Sequence, residues 1–156
     1  MHRIYQSETN DSLDGWQDRP HDELMITLSN AAKAIEAGKN KAAQLGIAFT
    51  ITVVDAGGHP VALSRMDGAA LGSVEASQAK ARTSVMFAAP TRDLAGAVQP
   101  GAPMYGIESG FRDPLAFVPG GVPVTDADGI LIGAIGVGGG YPNNDDEVAE
   151  AVRTAL

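Results

Sequence analysis

The chain of 156 residues contains no cysteine, so disulfides, thiolate metal sites and cysteine nucleophiles are excluded. Basic residues are also few: 11 Lys and Arg stand against 19 Asp and Glu, giving a net charge of −8. Nucleic-acid binding requires a basic face, so neither nucleic acid nor an anionic membrane surface is an expected partner.

Long apolar runs are missing as well. The longest, Gly129 to Val137, is far shorter than the roughly 20 residues that cross a bilayer. The first residues, from Met1 to Glu8, lack the apolar segment of a signal peptide. We therefore expect a cytoplasmic protein without a membrane partner.

Histidine is also scarce. Beyond residue 21 the chain contains one histidine, His59. A Ser-His-Asp arrangement could be built only around it, and a site with several histidine ligands is excluded. No metal site is predicted.

Two similar hairpins are the most informative features that are present. Thr52–Ala69 and Val122–Gly140 each contain two apolar strand-like runs. The turns between the runs are Ala56-Gly57-Gly58-His59 and Asp126-Ala127-Asp128-Gly129. Glycine and aspartate are the residues that such turns require.

The rest of the chain predicts an N-terminal arm over residues 1–21 and one domain over 22–156. The arm is polar and without period, which is compatible with disorder or with a strap across a neighbouring subunit, and its Trp16 favours the strap. The domain begins with a helix, because apolar residues recur at steps of four and three from Leu24 to Leu45, with Gly46 as terminator. The later expected elements are strands at Ile47–Asp55 and Val61–Met66, helices at Ser73–Ala88 and Thr91–Val98, a strand at Ala116–Val118, the second hairpin, and a helix at Asp145–Leu156 capped by Asn143 or Asn144.

This order, α-β-β-α-(α)-β-β-β-α, predicts an α/β (α+β) domain. Consecutive strands are expected to pair antiparallel into a single profilin-like sheet of about five strands, flanked by helices. The small residues on its helices and a poorly covered sheet face or edge favour a homo-oligomer, dimer or larger.

Several short pieces, in this order and spacing, resemble the GlcG/HbpS-like family, also called the haem-degrading domain family. They are Asp55-Ala-Gly-Gly58, Arg65-Met-Asp-Gly68, Ala79-Lys80-Ala81, Pro90-Thr91, Pro119-Gly-Gly-Val122-Pro123 and Ile132-Gly-Ala-Ile-Gly-Val-Gly-Gly139. The resemblance covers roughly Leu24 to Leu156. It implies a profilin-like fold and a possible haem cofactor, and the same domain follows some cobalamin adenosyltransferases as a C-terminal module.

One stripe of the predicted helix Ser73–Ala88 holds Ser73, Ser77, Lys80 and Ser84. As a functional site, it would bind an anion or carbonyl, with Lys80 as the charge and the serines as donors. Alternatively the stripe packs against another subunit and Lys80 extends outward. The Ala76, Ala79, Thr83 and Met86 face is expected to pack on the sheet. The Ser77-x-x-Lys80 tetrad of serine acyl transferases is present without its companion motifs.

At the end of the second predicted strand, Arg65 and Asp67 point to one face. Arg65 could hold a carboxylate, or it could pair with Asp67 or Asp55. Asp55 is interpreted as a turn-capping carboxylate. His59 is a candidate axial haem ligand, or simply a solvent-facing turn residue.

Two glycine-rich segments are candidate anion-binding loops. Gly136–Gly140 is followed by acidic residues that would repel phosphate, and it lacks the spacing of nucleotide loops. The turn Pro119-Gly120-Gly121 has no adjacent acid and could offer backbone N–H groups to a ligand.

The predicted function is binding of a small carboxylate, or of haem through its propionates, at Arg65, Asp67, Ser77, Lys80, Gly120 and Gly121. A second hypothesis is an enzyme acting on a small oxo- or hydroxy-acid, with Lys80 as the best catalytic candidate and Arg65 holding the carboxylate. The resemblance places glycolate-like compounds first. A third hypothesis is a structural or regulatory oligomeric module.

Overall fold

A computed structural model describes residues 25–156 of the chain. The predicted N-terminal arm lies outside these residues. Four principal helices and strands precede the central crossover: α1 Leu28–Leu45, β1 Thr50–Asp55, β2 Pro60–Arg65 and α2 Ser73–Phe87. The short α3 Thr91–Leu94 follows, with 3₁₀ turns at Ala95–Val98 and Ile107–Gly110, and then β3 Gly121–Thr125, β4 Leu131–Gly138 and α4 Pro142–Thr154.

The four strands form one antiparallel sheet in the order β2-β1-β4-β3. The predicted α+β class with a single antiparallel sheet is confirmed. The prediction of about five strands is wrong, because within residues 25–156 the sheet has four strands and residues 116–118 are not a strand. There the Ala116 N–H donates to Thr83 Oγ1 at 2.8 Å and the Val118 carbonyl accepts from Thr91 Oγ1 at 2.6 Å, so side chains replace a neighbouring strand.

The two hairpins share the same turn chemistry. In the first, Asp55 Oδ1 accepts the N–H groups of Gly57 and His59, both at 2.9 Å. In the second, Asp126 Oδ1 accepts those of Asp128 at 2.9 Å and Ile130 at 2.8 Å. The interpretation of Asp55 as a turn-capping residue is confirmed.

One face of the sheet is covered by α1 and α4. Thr27 caps α1 by accepting the Asn30 N–H, and Gly46, in the left-handed conformation, ends it as predicted. Gly38 allows close packing, since a Cβ there would lie 2.5 Å from Val152 Cγ2 of α4 and 2.8 Å from Ile51 Cδ1 of β1. The core on this face is apolar and fully buried, with Phe49, Ile51, Val53, Ile135, Val137, Val148 and Val152 at its centre.

The opposite face carries α2, which lies over β4, β3 and β1 and makes few contacts with the edge strand β2. The predicted start of α4 at Asp145 is wrong: the helix begins at Pro142, after Tyr141. Proline suits the first helical position because its φ is preset and its missing N–H would have had no partner there. Within residues 25–156, no helix is long and apolar enough to cross a membrane.

Candidate functional site

Lys80 and Asp145 form a buried ion pair between α2 and α4. Lys80 Nζ lies 2.5 Å from Asp145 Oδ2, and each side chain is 4% exposed. Asp145 Oδ1 accepts the Gly140 N–H at 2.9 Å. Burial raises the pKa of Asp145, while Lys80 and the Gly140 N–H act in the opposite direction. The Lys80 charge is therefore committed to a carboxylate inside the protein.

The Gly120-Gly121 turn closes over this pair. A Cβ on Gly120 would lie 2.7 Å from Asp145 Cβ and 3.0 Å from Lys80 Nζ. The prediction that this turn offers bare N–H groups to a ligand is wrong. The Gly120 N–H donates to Asp146 Oδ1 at 3.2 Å and the Gly121 N–H donates to Thr91 Oγ1 at 2.9 Å.

A second group of charges, which the sequence did not single out, adjoins the same turn. Arg92 Nη1 donates to Asp146 Oδ2 at 2.8 Å and to Glu150 Oε1 at 2.9 Å, and Arg153 Nε donates to Glu150 Oε2 at 2.7 Å. Because Asp146 also accepts the Gly120 N–H, the network connects α3, α4 and the turn. Burial opposes ionisation of Glu150, but the ion pairs with Arg153 and Arg92 prevail and lower its pKa.

The lowered pKa of Glu150 predicts a loss of stability in acid. A carboxyl group whose pKa is lower in the folded state than in the unfolded state stabilises the fold at pH values above its unfolded-state pKa. This contribution disappears as the pH falls through the folded-state pKa. We expect Glu150→Gln to lower the free energy of unfolding by about 0.5–1 kcal/mol at pH 7, because the pairs are partly exposed. The difference from the natural chain, measured by urea denaturation, should shrink as the pH falls below the ordinary glutamate value of 4.5. A difference that is the same at pH 7 and in this acid range would contradict the assignment.

The serine stripe of α2 faces the sheet. Ser73 Oγ lies 2.7 Å from Thr50 Oγ1, and Ser77 Oγ lies 2.8 Å from Thr52 Oγ1, with all four residues buried. The prediction that the face with Ala76, Ala79, Thr83 and Met86 packs on the sheet is right for Ala76, whose Cβ would lie 3.1 Å from a Cβ on Gly138 of β4. It is wrong for Thr83, which accepts the Ala116 N–H of the crossover, and for Met86, which is 50% exposed. Small hydroxyls suit the inner position because they satisfy each other between a helix and a strand that lie close together.

Arg65 and Asp67 are exposed at the end of β2. Arg65 Nη2 donates to the Ala69 carbonyl at 3.1 Å. Arg65 pairs with Thr50 at one edge of the sheet, whereas Lys80 packs on Gly121 of β3 at the other edge. Three strand spacings separate these edges, about 14 Å. Of the predicted site residues, the structure thus brings Lys80, Gly120 and Gly121 together, leaves Ser77 over the central strand β1, and places Arg65 and Asp67 apart from them.

His59 lies in the β1–β2 turn with its side chain 81% exposed, and its Nδ1 is 3.3 Å from Asp55 Oδ1. Within residues 25–156, no group of three His, Cys, Asp or Glu side chains could hold a metal ion.

An open strip beside β2 is the accessible surface next to Arg65. Leu63, which is 42% exposed, pairs with Thr52 and therefore lies on the face that α2 covers elsewhere. Met86 of α2 lies near the end of β2 that is opposite Arg65, because its Cε would be 3.4 Å from a Cβ placed on Gly58. We call the surface formed by Leu63, Arg65 and Met86 the β2 strip. It combines one cation with two exposed apolar side chains.

Three further grooves lie elsewhere on the surface. One of about 630 Å³ lies between the start of α1, the β3–β4 turn and Leu156. Another, of about 550 Å³, separates the outer side of α2 from the crossover at Asp113 and Pro114, and a third, of about 370 Å³, is lined by Ile47, Gly139, Gly140 and Tyr141. Lys80 lines none of these three grooves, so they do not provide the enclosed pocket around Lys80 that catalysis would require.

Sequence reasoning found Lys80 but missed its partner. Asp145 was interpreted only as the first residue of the last helix. A signal was available, because a lysine buried in a protein requires a carboxylate partner, and the acidic residues that begin the last helix were candidates for it.

Known proteins of similar sequence and structure agree on one family. The family described as "Haem degrading protein HbpS-like" matches residues 26–154. The uncharacterized 15.0 kDa protein of the dhaT-dhaS intergenic region of Citrobacter freundii is 37% identical over 80% of this chain and 87% of its own length. Protein GlcG of Escherichia coli K12 is 36% identical over 73% of this chain and 81% of its own. The crystal structure of a PduOC:haem complex, 32% identical, superposes with a TM-score of 0.79 over 85% of this chain and 95% of that one. The chain belongs to the HbpS-like family.

Proposed function

We propose that the protein is a ligand-binding member of the HbpS-like family, that it acts as a homo-oligomer, and that its ligand carries carboxylates, with haem as the specific candidate. The observation that carries the proposal is the similarity of this fold, over 85% of the chain, to a structure described as a complex with haem.

The β2 strip is the surface we assign to this ligand. Arg65 gives one N–H to the Ala69 carbonyl, and its guanidinium retains other donors for a carboxylate. Leu63, two residues from Arg65 and on the same face of β2, supplies an apolar contact for a ring. Strand β2 has six residues, which at about 3.3 Å each gives a length of about 20 Å, sufficient for a porphyrin. The residues fit the propionates and the ring face of a haem, which would supply its iron as a redox-active centre.

His59 does not fit as the axial ligand of a haem bound in this way. It lies just before Pro60 at the other end of β2, about 20 Å along the strand from Arg65. Arg65 and His59 would therefore not hold the same haem. Lys80, Ser77, Gly120 and Gly121 support the site indirectly in this proposal, because they fix α2 on the sheet, and Asp67 lies beside Arg65 at the rim.

A small hydroxy- or oxo-acid would use the same arginine and no ring contacts. Enzymatic action on such an acid would require Lys80 to reach it, and Lys80 is 4% exposed and paired with Asp145. The geometry therefore supports binding over catalysis.

The proposal predicts that Arg65→Ala weakens haem binding roughly tenfold or more, because a hydrogen bond between charged groups contributes about 1.5–3 kcal/mol. Haem binding is measured from its Soret absorbance, and glycolate and glyoxylate binding by calorimetry. Arg112→Ala is the matched control, since Arg112 is an exposed arginine on the crossover, and it should bind like the natural chain. Binding that is unchanged in Arg65→Ala would place the site elsewhere. Failure of all three compounds to bind would favour the structural or regulatory module.

A further inference from the structure

The largest of the three grooves lies where the chain enters the described domain. It has a volume of about 630 Å³ and lies between the start of α1, the β3–β4 turn and Leu156. Met25 and Ile26, the first residues that the structure describes, line it. Ile26 is 6% exposed, and its Cδ1 would be 2.5 Å from a Cβ on Gly133 of β4, so the entry point is fixed against the sheet. The preceding segment of the chain therefore starts from this groove, which we call the entry groove.

The entry groove combines apolar and acidic side chains. Six of its ten lining residues are apolar: Met25, Ile26, Val124, Ala127, Ile132 and Leu156. Its rim includes Asp126 and Asp128 of the β3–β4 turn. The Asp126 carboxylate is fixed in place, because its Oδ1 accepts the N–H groups of Asp128 and Ile130. Such a groove suits an occupant that carries both a large apolar side chain and a cation.

The segment before Met25 has this combination. Trp16 is the only tryptophan of the chain, and Arg19, three residues later, is the one Lys or Arg between Trp16 and Met25. Nine residues of extended chain span at most about 30 Å, more than the length of about 27 Å of the 18-residue α1. Trp16 is therefore within reach of every part of the entry groove. A tryptophan in an apolar site buries about 150–250 Å².

The short connection favours Trp16 of the same chain over other occupants. A short flexible linker gives the group at its end an effective concentration in the millimolar range. A contact that would be weak between separate molecules is therefore made most of the time within one chain. The other charges between Trp16 and Met25 are acidic, so Arg19 is the side chain that the acidic rim attracts.

We propose that residues 16–24 form a strap in the entry groove of their own chain, with Trp16 against its apolar side chains and Arg19 at the rim beside Asp128. The strap closes the groove to other ligands and joins the start of α1 to the β3–β4 turn. The family match begins at residue 26, so the strap is an addition of this chain to the family fold.

The strap lies at the other end of the sheet from the β2 strip. Gly133, beside the entry groove, pairs with Asp55 at the end of β1, whereas Arg65 pairs with Thr50 at its start. The strap leaves Arg65 uncovered, and the proposal does not depend on the ligand proposed above.

The fluorescence of the single tryptophan tests where Trp16 lies. We expect the emission of the full chain to lie at shorter wavelength than that of the urea-unfolded chain, and to resist quenching by acrylamide, because the indole is shielded from water. Ala127→Arg fills the groove and should remove both the shift and the protection. The matched control is Ala56→Arg, since Ala56 follows Asp55 in the first turn as Ala127 follows Asp126 in the second, and both alanines are exposed. The control should leave the emission unchanged, and circular dichroism shows whether each variant is folded.

Charge reversal tests the contact at the rim. Arg19→Glu places a carboxylate against the acidic rim, and we expect it to increase the quenching of Trp16 by acrylamide. Arg3→Glu changes the net charge by the same amount outside the strap and should leave the quenching unchanged. Equal quenching in these two variants would overturn the role of Arg19.

A nitroxide quencher tests whether the strap belongs to the same chain. Because the chain has no cysteine, Ser29→Cys takes a single label on α1 next to Asn30 of the entry groove. It should quench Trp16, whereas the label on Asn40→Cys, also exposed and about 16 Å further along α1, should not. Labelled chains that also carry Trp16→Phe, refolded together with unlabelled natural chains, should leave the emission unchanged.

Three results would each overturn the strap. Quenching in the mixture of labelled and unlabelled chains would place Trp16 on a second copy. Emission of the natural chain that matches the unfolded chain would show that Trp16 lies in water. A shielded Trp16 that responds equally to Ala127→Arg and Ala56→Arg would place it outside the entry groove.

Discussion

Replacing Lys80 with alanine is expected to lower the free energy of unfolding by about 3–5 kcal/mol, because the change leaves the Asp145 carboxylate buried without its partner. Asp145 is 3% exposed, and the Gly140 N–H is the hydrogen-bond donor that would remain to it. The same substitution of a lysine in an open pocket would cost little. Urea denaturation at pH 7 measures the effect as a lower midpoint with an unchanged slope.

The matched control for this prediction is Lys39→Ala. Lys39 also pairs with a carboxylate, Glu36, at 2.7 Å, but the two side chains are 38% and 64% exposed. We expect that change to cost less than about 0.5 kcal/mol. The pair Lys80→Met with Asp145→Asn should be less destabilising than Lys80→Ala, because it leaves no buried charge. Equal midpoints for Lys80→Ala and Lys39→Ala would show that the buried pair does not hold α2 to α4.

Local signals predicted most of the fold. The two aspartate-led turns, the apolar seam of α1 from Ala31 onward and its terminator Gly46 each depend on residues close in sequence, and each is confirmed. The predicted start of the seam at Leu24 is wrong, because the helix begins at Leu28 and the Leu28 side chain is 66% exposed. The strand expected at residues 116–118 is absent. A short apolar run does not show whether its backbone hydrogen bonds go to a neighbouring strand or to side chains. Side chains of α2 and α3, Thr83 and Thr91, take its backbone hydrogen bonds.

The candidate site was less predictable, because its contacts join distant parts of the chain. Lys80 and Asp145 are 65 residues apart in sequence. The serines of α2 were interpreted as facing either a ligand or another subunit, yet Thr50 and Thr52 alternate on β1 with the spacing needed to bond to Ser73 and Ser77. A polar helix stripe and a polar strand face that match in this way indicate packing between them. Of the predicted site residues, Arg65 and Asp67 remain exposed for a ligand, and their position at a strand end was readable from sequence.

The glycines of β4 explain why α2 can lie so close to the sheet, and they give the last prediction. A Cβ on Gly136 would lie 1.9 Å from the Ser77 carbonyl oxygen and 2.5 Å from the Ala81 nitrogen, both in the backbone of α2. Backbone atoms cannot rotate away as a side chain can, so the helix would have to lift from the strand. That displacement would also stretch the bond between Ser77 and Thr52.

We therefore expect Gly136→Ala to destabilise the protein by about 3 kcal/mol or more, the upper part of the range for overpacked cores. Gly96→Ala is the control, because nothing lies within 4 Å of a Cβ at Gly96. Alanine there should be neutral or stabilising by a few tenths of a kcal/mol, since it restricts the unfolded chain. Thermal and urea denaturation of both variants measure the difference. If Gly136→Ala were as stable as Gly96→Ala, α2 would not rest on β4 at this distance. The glycines of the segment Gly136–Gly140 would then need another explanation, such as an anion-binding loop.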